Sequence, residues 1–271
     1  MVNPGSYTPP DYLEQTVSLA QLTKSIRHKL YTGPIQEGQS LSLSNFEESL
    51  QSLKHWLDNV PLHLGTNTSV PNLHRRPVAL LHLRYWSTVM LVARPFLLCS
   101  LLRKDELHGT AKQPHFDRLA RTCVSAAEAS LDIFEGLAHG VLSSIVLLDF
   151  LFSLQVLQVV LVASSLYPSA NHRGRARRCI SVLEAIGAFG FPKHMLPEIL
   201  LEAQGFGILD GIMENPPPPP LHGGPEATPR YLSHPEQGQD RDIGMLTLTQ
   251  GYHTTRRVRG WASISGRFSA L

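Results

Sequence analysis

Residues Val78 to Leu102, VALLHLRYWSTVMLVARPFLLCSLL, carry only two charges, Arg84 and Arg94. The run is too long for a strand. Val78, Leu81, Tyr85, Val89, Val92 and Phe96 recur at steps of three and four, the period of a helix. A second row, Leu80, Leu83, Met90, Leu97 and Leu101, falls on other faces. A helix apolar nearly all round must be covered by neighbours, in a large core or in a membrane. Pro95 sits inside it, removes one backbone hydrogen bond and crowds the carbonyl of Leu91, which predicts a bend. Arg94 is a charge with almost nothing polar beside it in sequence, so it needs a partner from elsewhere in the chain.

A second apolar run supplies a candidate partner. Residues 141–163 contain one charge, Asp149, and are long enough to span a bilayer. The basic RGRARR, Arg173 to Arg178, would suit its cytoplasmic flank. Against a span stand Asp149, Ser143, Ser144, Ser153, Gln155 and Gln158. An aspartate near the centre of a span costs about 2.5–3.5 kcal/mol on insertion scales. A central helix of a helical bundle explains the same polarity with less strain. Arg94 and Asp149 are then candidates to pair across the core, since an unpaired buried charge is costly; the alternative is that each reaches a helix end, a backbone carbonyl or solvent.

The remaining chain reads as helices and short connections. Residues 1–10 are rich in Pro and Gly. From Asp11, Leu19, Leu22, Ile26 and Leu30 form one stripe, closed by Gly33-Pro34. Ser44 and Glu47 have the spacing of a capping box. Phe46, Leu50, Leu53, Trp56 and Leu57 follow, and Pro61 stops that helix before a polar loop to Pro77. Lys104 to Pro114 reads as a loop. Phe116, Leu119, Cys123, Ala127, Leu131 and Phe134 mark the next helix, then come 141–166 and an amphipathic helix from Arg173 to Gly187. A short helix is expected between Pro192 and Ala203, with one more turn at Leu209 to Met213. No strand-period alternation of any length appears. The expected fold is all-α, an irregular multi-helix bundle over 11–214. Pro216 to Pro220 opens a Pro/Gly-rich tail, 215–271, whose composition predicts disorder.

Charge and cysteine usage bound the function. Residues 1–214 hold eighteen Lys+Arg and eighteen Asp+Glu, so the whole net charge of +2 falls in 215–271. A neutral body is not built to grip phosphates by itself. The three cysteines, Cys99, Cys123 and Cys179, sit far apart in helical patterns, which fits reduced, buried thiols. The N-terminal residues have no signal-peptide pattern. No paired C-x-x-C, H-E-x-x-H, G-x-S-x-G or glycine-rich phosphate loop occurs. His108 and His115 lack ligand spacing. These readings point away from an enzyme and away from a metal or cofactor held by this chain. RGRARR reads as the solvated start of an amphipathic helix or as a nuclear import patch.

Several residues together resemble a known family. Tyr85 and, nine positions on, Arg94-Pro95-Phe96-Leu97 resemble the Tyr and Arg-Pro-Phe-Leu signature of the fungal-specific transcription factor domain, the middle homology region of zinc binuclear cluster regulators. Leu30-Tyr31 is similar to the end of its first helix. Leu53, Trp56 and Pro61 are similar to its Leu-x-x-Trp helix and following proline. Cys123-Val-Ser-Ala-Ala127 and the apolar 141–166 follow in the family's order, and the likeness covers roughly 12–214. The resemblance implies an all-α regulatory domain in a nuclear transcription regulator. It implies action through protein partners, a homodimer among them, and in some members a small-molecule effector. Trp56, Pro61, Tyr85, Arg94, Pro95, Phe96 and Asp149 are the residues expected to carry its architecture. The family's DNA-contacting cysteine cluster, the only place zinc would bind, is absent here. Direct DNA binding is therefore not expected of this chain unless such a cluster belongs to a longer parent protein.

Overall fold

A computed structural model describes residues 8–32, 42–66, 71–138, 147–167 and 170–187, with 197, 198, 200, 201 and 204 beyond them. The described residues form helices and turns with no strand among them, so the all-α expectation holds. The tail expected at 215–271 and the turn expected at Leu209 to Met213 lie outside the described residues. So does most of the short helix expected before Ala203.

The first helix, α1, spans Tyr12–Arg27 and runs on into a single π-turn, His28–Thr32. Of its predicted stripe, Leu19, Ile26 and Leu30 are buried and Leu22 is partly so. Helix α2 spans Leu43–Asp58 and buries Phe46, Leu53 and Trp56. Its start corrects the capping-box expectation. Ser42 is the cap, in extended backbone, and its hydroxyl accepts the Ser44 amide at 3.3 Å. Glu47 is drawn away to the Arg118 guanidinium, so it is not free to close a box on Ser44.

Helix α3, Asn72–Leu102, is the axis of the fold. It begins six residues before the expected Val78, so Pro77 lies inside it rather than ending the loop. A proline this close to a helix start removes a bond from the exposed first turns, where water can replace it. Thirteen α3 residues are buried, among them Val78, Leu81, Tyr85, Val92 and Phe96, as the helical period requires. A helical turn, α4, spans Lys104–Leu107 within the expected loop. Helix α5, Gln113–Ala138, takes Pro114 into its first turn, where a missing N–H removes nothing. Helix α6 spans Leu147–Leu166 and α7 spans Ala170–Gly187.

Side-chain contacts set the directions. Thr23 meets Thr88 and Tyr31 meets Leu91, so α1 runs with α3. Trp56 faces Tyr85 and Phe46 faces Phe96, so α2 runs against it. Phe116 faces Phe96 and the Cys123 thiol reaches the Met90 carbonyl at 3.9 Å, so α5 also runs against α3. Arg175 and Arg178 of α7 pair with Glu128 and Glu135 of α5, which makes α5 and α7 parallel. Helix α6 returns between them, with the Cys179 thiol 3.8 Å from the Ser153 carbonyl.

Helix α6 buries an unbroken run from Val156 to Ser164. Its apolar surface is therefore taken up by α3, α5 and α7, the bundle arrangement that its serines and glutamines suggest. Gln155 is the clearest case. Ser87 donates to its Oε1 at 2.6 Å, and its Nε2 returns a bond to the Ser87 carbonyl at 3.3 Å. Among the described residues, α3 is the one helix long and apolar enough to cross a membrane by length and composition, and 56% of its most apolar window is buried by the rest of the fold.

Candidate functional site

Of the residues singled out in sequence, Trp56, Tyr85, Arg94, Pro95 and Phe96 lie along one length of α3. Trp56 of α2 stacks on Tyr85, ring centres 5.7 Å apart and planes 20° from parallel. Tyr85 in turn meets Trp86 edge-on at 4.8 Å. Eleven residues further along α3, Phe96 takes Phe46 of α2 edge-on at 4.9 Å and Phe116 of α5 at 5.1 Å. Edge-on and offset contacts suit the quadrupoles of these rings. The two clusters pin α2 along α3 at two levels. Pro61 follows the α2 cap at Asn59 and opens the 3₁₀ turn Leu62–Leu64, its carbonyl accepting the Leu64 amide at 2.8 Å.

Between the clusters lies the polar centre of the domain. Helix α3 continues through Pro95, which leaves the Leu91 carbonyl without the amide four residues on. The Tyr31 hydroxyl donates to that carbonyl at 2.6 Å. The π-turn carries Tyr31 into this position at the end of α1. Burial raises the Tyr31 pKa to about 12, against the opposing pull of Arg94. The phenol is therefore a neutral donor at ordinary pH.

Arg94 lies beside it. Burial lowers the guanidinium pKa, and its electrostatic neighbours are Cys123 and Tyr31. The Arg94 Nε is buried and makes no hydrogen bond among the described residues. Burial also holds the Cys123 thiol up at about 12, so neither neighbour supplies a negative charge.

The expected Arg94–Asp149 pair turns on the Asp149 side chain, which lies outside the described residues. The Ser87–Gln155 contact sets α3 beside α6.

Two buried contacts had little sequence signal. His82 Nε2 donates to the Leu64 carbonyl at 2.8 Å and ties the 3₁₀ turn to α3. The carbonyl can only accept, which puts the proton on Nε2. Burial lowers the His82 pKa. Thr23 and Thr88 share a contact at 3.0 Å, while each also reaches a carbonyl four residues back, Leu19 and Arg84. Two protons serve those three contacts.

The basic stretch of α7 is partly consumed by the fold. Arg175 is bound to Glu128, and Arg178 to Glu135 at 3.0 Å. Among the described residues there is no group of three or more His, Cys, Asp or Glu placed to share a metal ion. The arrangement is thus a set of helix-to-helix fastenings around α3. No family model matches this chain, and neither a curated protein nor a solved structure matches it.

Proposed function

We propose that this chain is the helical regulatory domain of a fungal zinc-cluster-type transcription regulator, acting in the nucleus through protein partners and without an enzymatic activity. The observation that supports the reading is convergence. Tyr31, Trp56, Tyr85, Arg94, Pro95 and Phe96, the residues that carry the resemblance, come from three separate segments and gather on one length of α3. Tyr31 also gives the Arg-Pro pair a physical reason to occur with a distant tyrosine. In this reading DNA contact and zinc belong to a cysteine cluster on a longer parent chain or on a partner. A second copy of the chain is one such partner, and a small-molecule effector acts by shifting helix packing.

A membrane anchor through 141–163 is the weaker alternative. Its first residues lie outside the described part, and 153, 154 and 156–163 are buried by neighbouring helices.

The experiment is a fusion of this chain to a heterologous DNA-binding domain in a fungal host carrying a matching reporter. The reading expects nuclear recovery, a reporter level different from that of the DNA-binding domain alone, and co-purification of a zinc-cluster protein. Recovery with membranes, together with an unchanged reporter, would count against it.

A further inference from the structure

The α1 helix differs from the other long helices in how it is held. Along Tyr12–Thr32 it buries only Leu19, Ile26 and Leu30, while Leu13 and Val17 face solvent. Tyr12, Leu22 and Tyr31 are partly buried against the same core, and its other fastenings are polar. Near its start, the His63 ring contacts the Pro10 carbonyl at 3.1 Å and the Asp11 carboxylate at 3.5 Å. In the middle, Thr23 meets Thr88. At its end, Lys29 pairs with Glu48 and Tyr31 reaches Leu91. The two charged contacts lie at the surface, where such pairs contribute little.

Beneath the far end lies an incomplete stretch of α3. Pro95 denies the Leu91 carbonyl its helical partner, and the Arg94 Nε is buried with no hydrogen bond among the described residues. Tyr31 closes the first of these gaps and lies beside the second. Local opening occurs where few apolar contacts must be broken. Both groups beneath the strap are polar, so water can serve them once it lifts.

We propose that α1 and its π-turn form a strap that releases from α3 as a unit, with Tyr31 as the latch. Release exposes Thr88, the Leu91 carbonyl and the Arg94 guanidinium while α3, α5, α6 and α7 stay folded. The strap is a property of the fold and stands whether or not the transcriptional reading does.

Hydrogen exchange on the full chain, followed by mass spectrometry of peptides, tests the device. Peptides from 12–32 should exchange faster than those from the cores of α3 and α5. Tyr31→Phe should speed α1 exchange about fivefold, the factor expected for one hydrogen bond, and leave α5 unchanged. A second arm does not depend on that variant. The Thr23→Cys, Thr88→Cys double variant places two thiols where hydroxyls stand 3.0 Å apart. Oxidised, it should slow α1 exchange to the rate of α5, and reduction should restore the difference. The proposal is overturned if α1 and α5 exchange at one rate in the native chain. It is equally overturned if Tyr31→Phe accelerates both alike, or if the formed cross-link leaves α1 exchange unchanged.

Discussion

The hydroxyl of Tyr31 stands in for the amide that Pro95 lacks: it donates to the Leu91 carbonyl at 2.6 Å, the acceptor that an ordinary residue at 95 would have used. A proline inside a long helix normally loses one bond and leaves one carbonyl to be satisfied by other means. Here the replacement comes from a residue sixty positions earlier, so a local defect in α3 becomes a long-range tie to α1.

The substitution should therefore be conditional. Tyr31→Phe should cost about 1–2 kcal/mol in urea unfolding, since it leaves a carbonyl unpaired. In a Pro95→Ala background the helix supplies its own amide, and the same change should cost little. A loss equal in both backgrounds would refute the replacement. The phenol adds an alkaline signature. Its folded pKa is raised to about 12, above the unfolded value of about 10. Its contribution is whole below the lower value and is lost as pH rises through the upper one. Tyr31→Phe should remove that alkaline step.

Arg94 has no negative neighbour among the described residues, which sets the sign of its removal. Breaking a buried ion pair is destabilising by about 3–5 kcal/mol, whereas removing an uncompensated buried charge relieves a desolvation penalty. Arg94→Met keeps much of the volume and discards the charge. It should leave the urea midpoint unchanged or raise it. Asp149→Asn combined with it should show additive effects, as expected for sites that do not interact. A loss of several kcal/mol in either single variant that vanishes in the double would restore the ion pair.

Phe96 joins α2 and α5 to α3 through two edge-on contacts. Phe96→Ala should cost about 3–5 kcal/mol, the range for a buried aromatic. Trp86 is only partly buried, so Trp86→Ala should cost clearly less in the same urea titration. Equal losses would mean that the cluster around Phe96 does not hold the bundle together.

Much of this architecture was readable from periodicity. The Val78–Phe96 stripe is the buried face of α3, and Leu19, Ile26 and Leu30 are the buried face of α1, because apolar spacing reports directly on which side faces the core. Capping was harder to read. Ser42 and Ser44 are both plausible caps, and the choice turned on Glu47, which Arg118 claims from a distant helix. The Arg94–Asp149 expectation depends on the same kind of information. Chain direction and register are set by packing, and no local pattern encodes them. Tyr31 lay between these cases. The orphaned Leu91 carbonyl follows from Pro95 alone, but the identity of its donor depends on where the π-turn places a side chain.

The buried histidine gives the last test. His82 donates to the Leu64 carbonyl at 2.8 Å while burial lowers its pKa. Its folded value therefore lies below the unfolded value of about 6.5. Below that unfolded value the unfolded chain takes up a proton that the folded chain resists. The stability linked to His82 is complete above about pH 6.5 and is withdrawn as pH falls from there through the lowered folded value. Urea midpoints should fall across this acid range in the native chain. His82→Gln retains a donor without the titration and should flatten that slope, even if it is less stable at neutral pH. His63 is a second imidazole and faces the Asp11 carboxylate at the surface, so His63→Gln is the control and should leave the slope in place. If the His63 variant flattens it instead, the pH dependence belongs to the start of α1 and not to the buried tie between α3 and the Leu62–Leu64 turn.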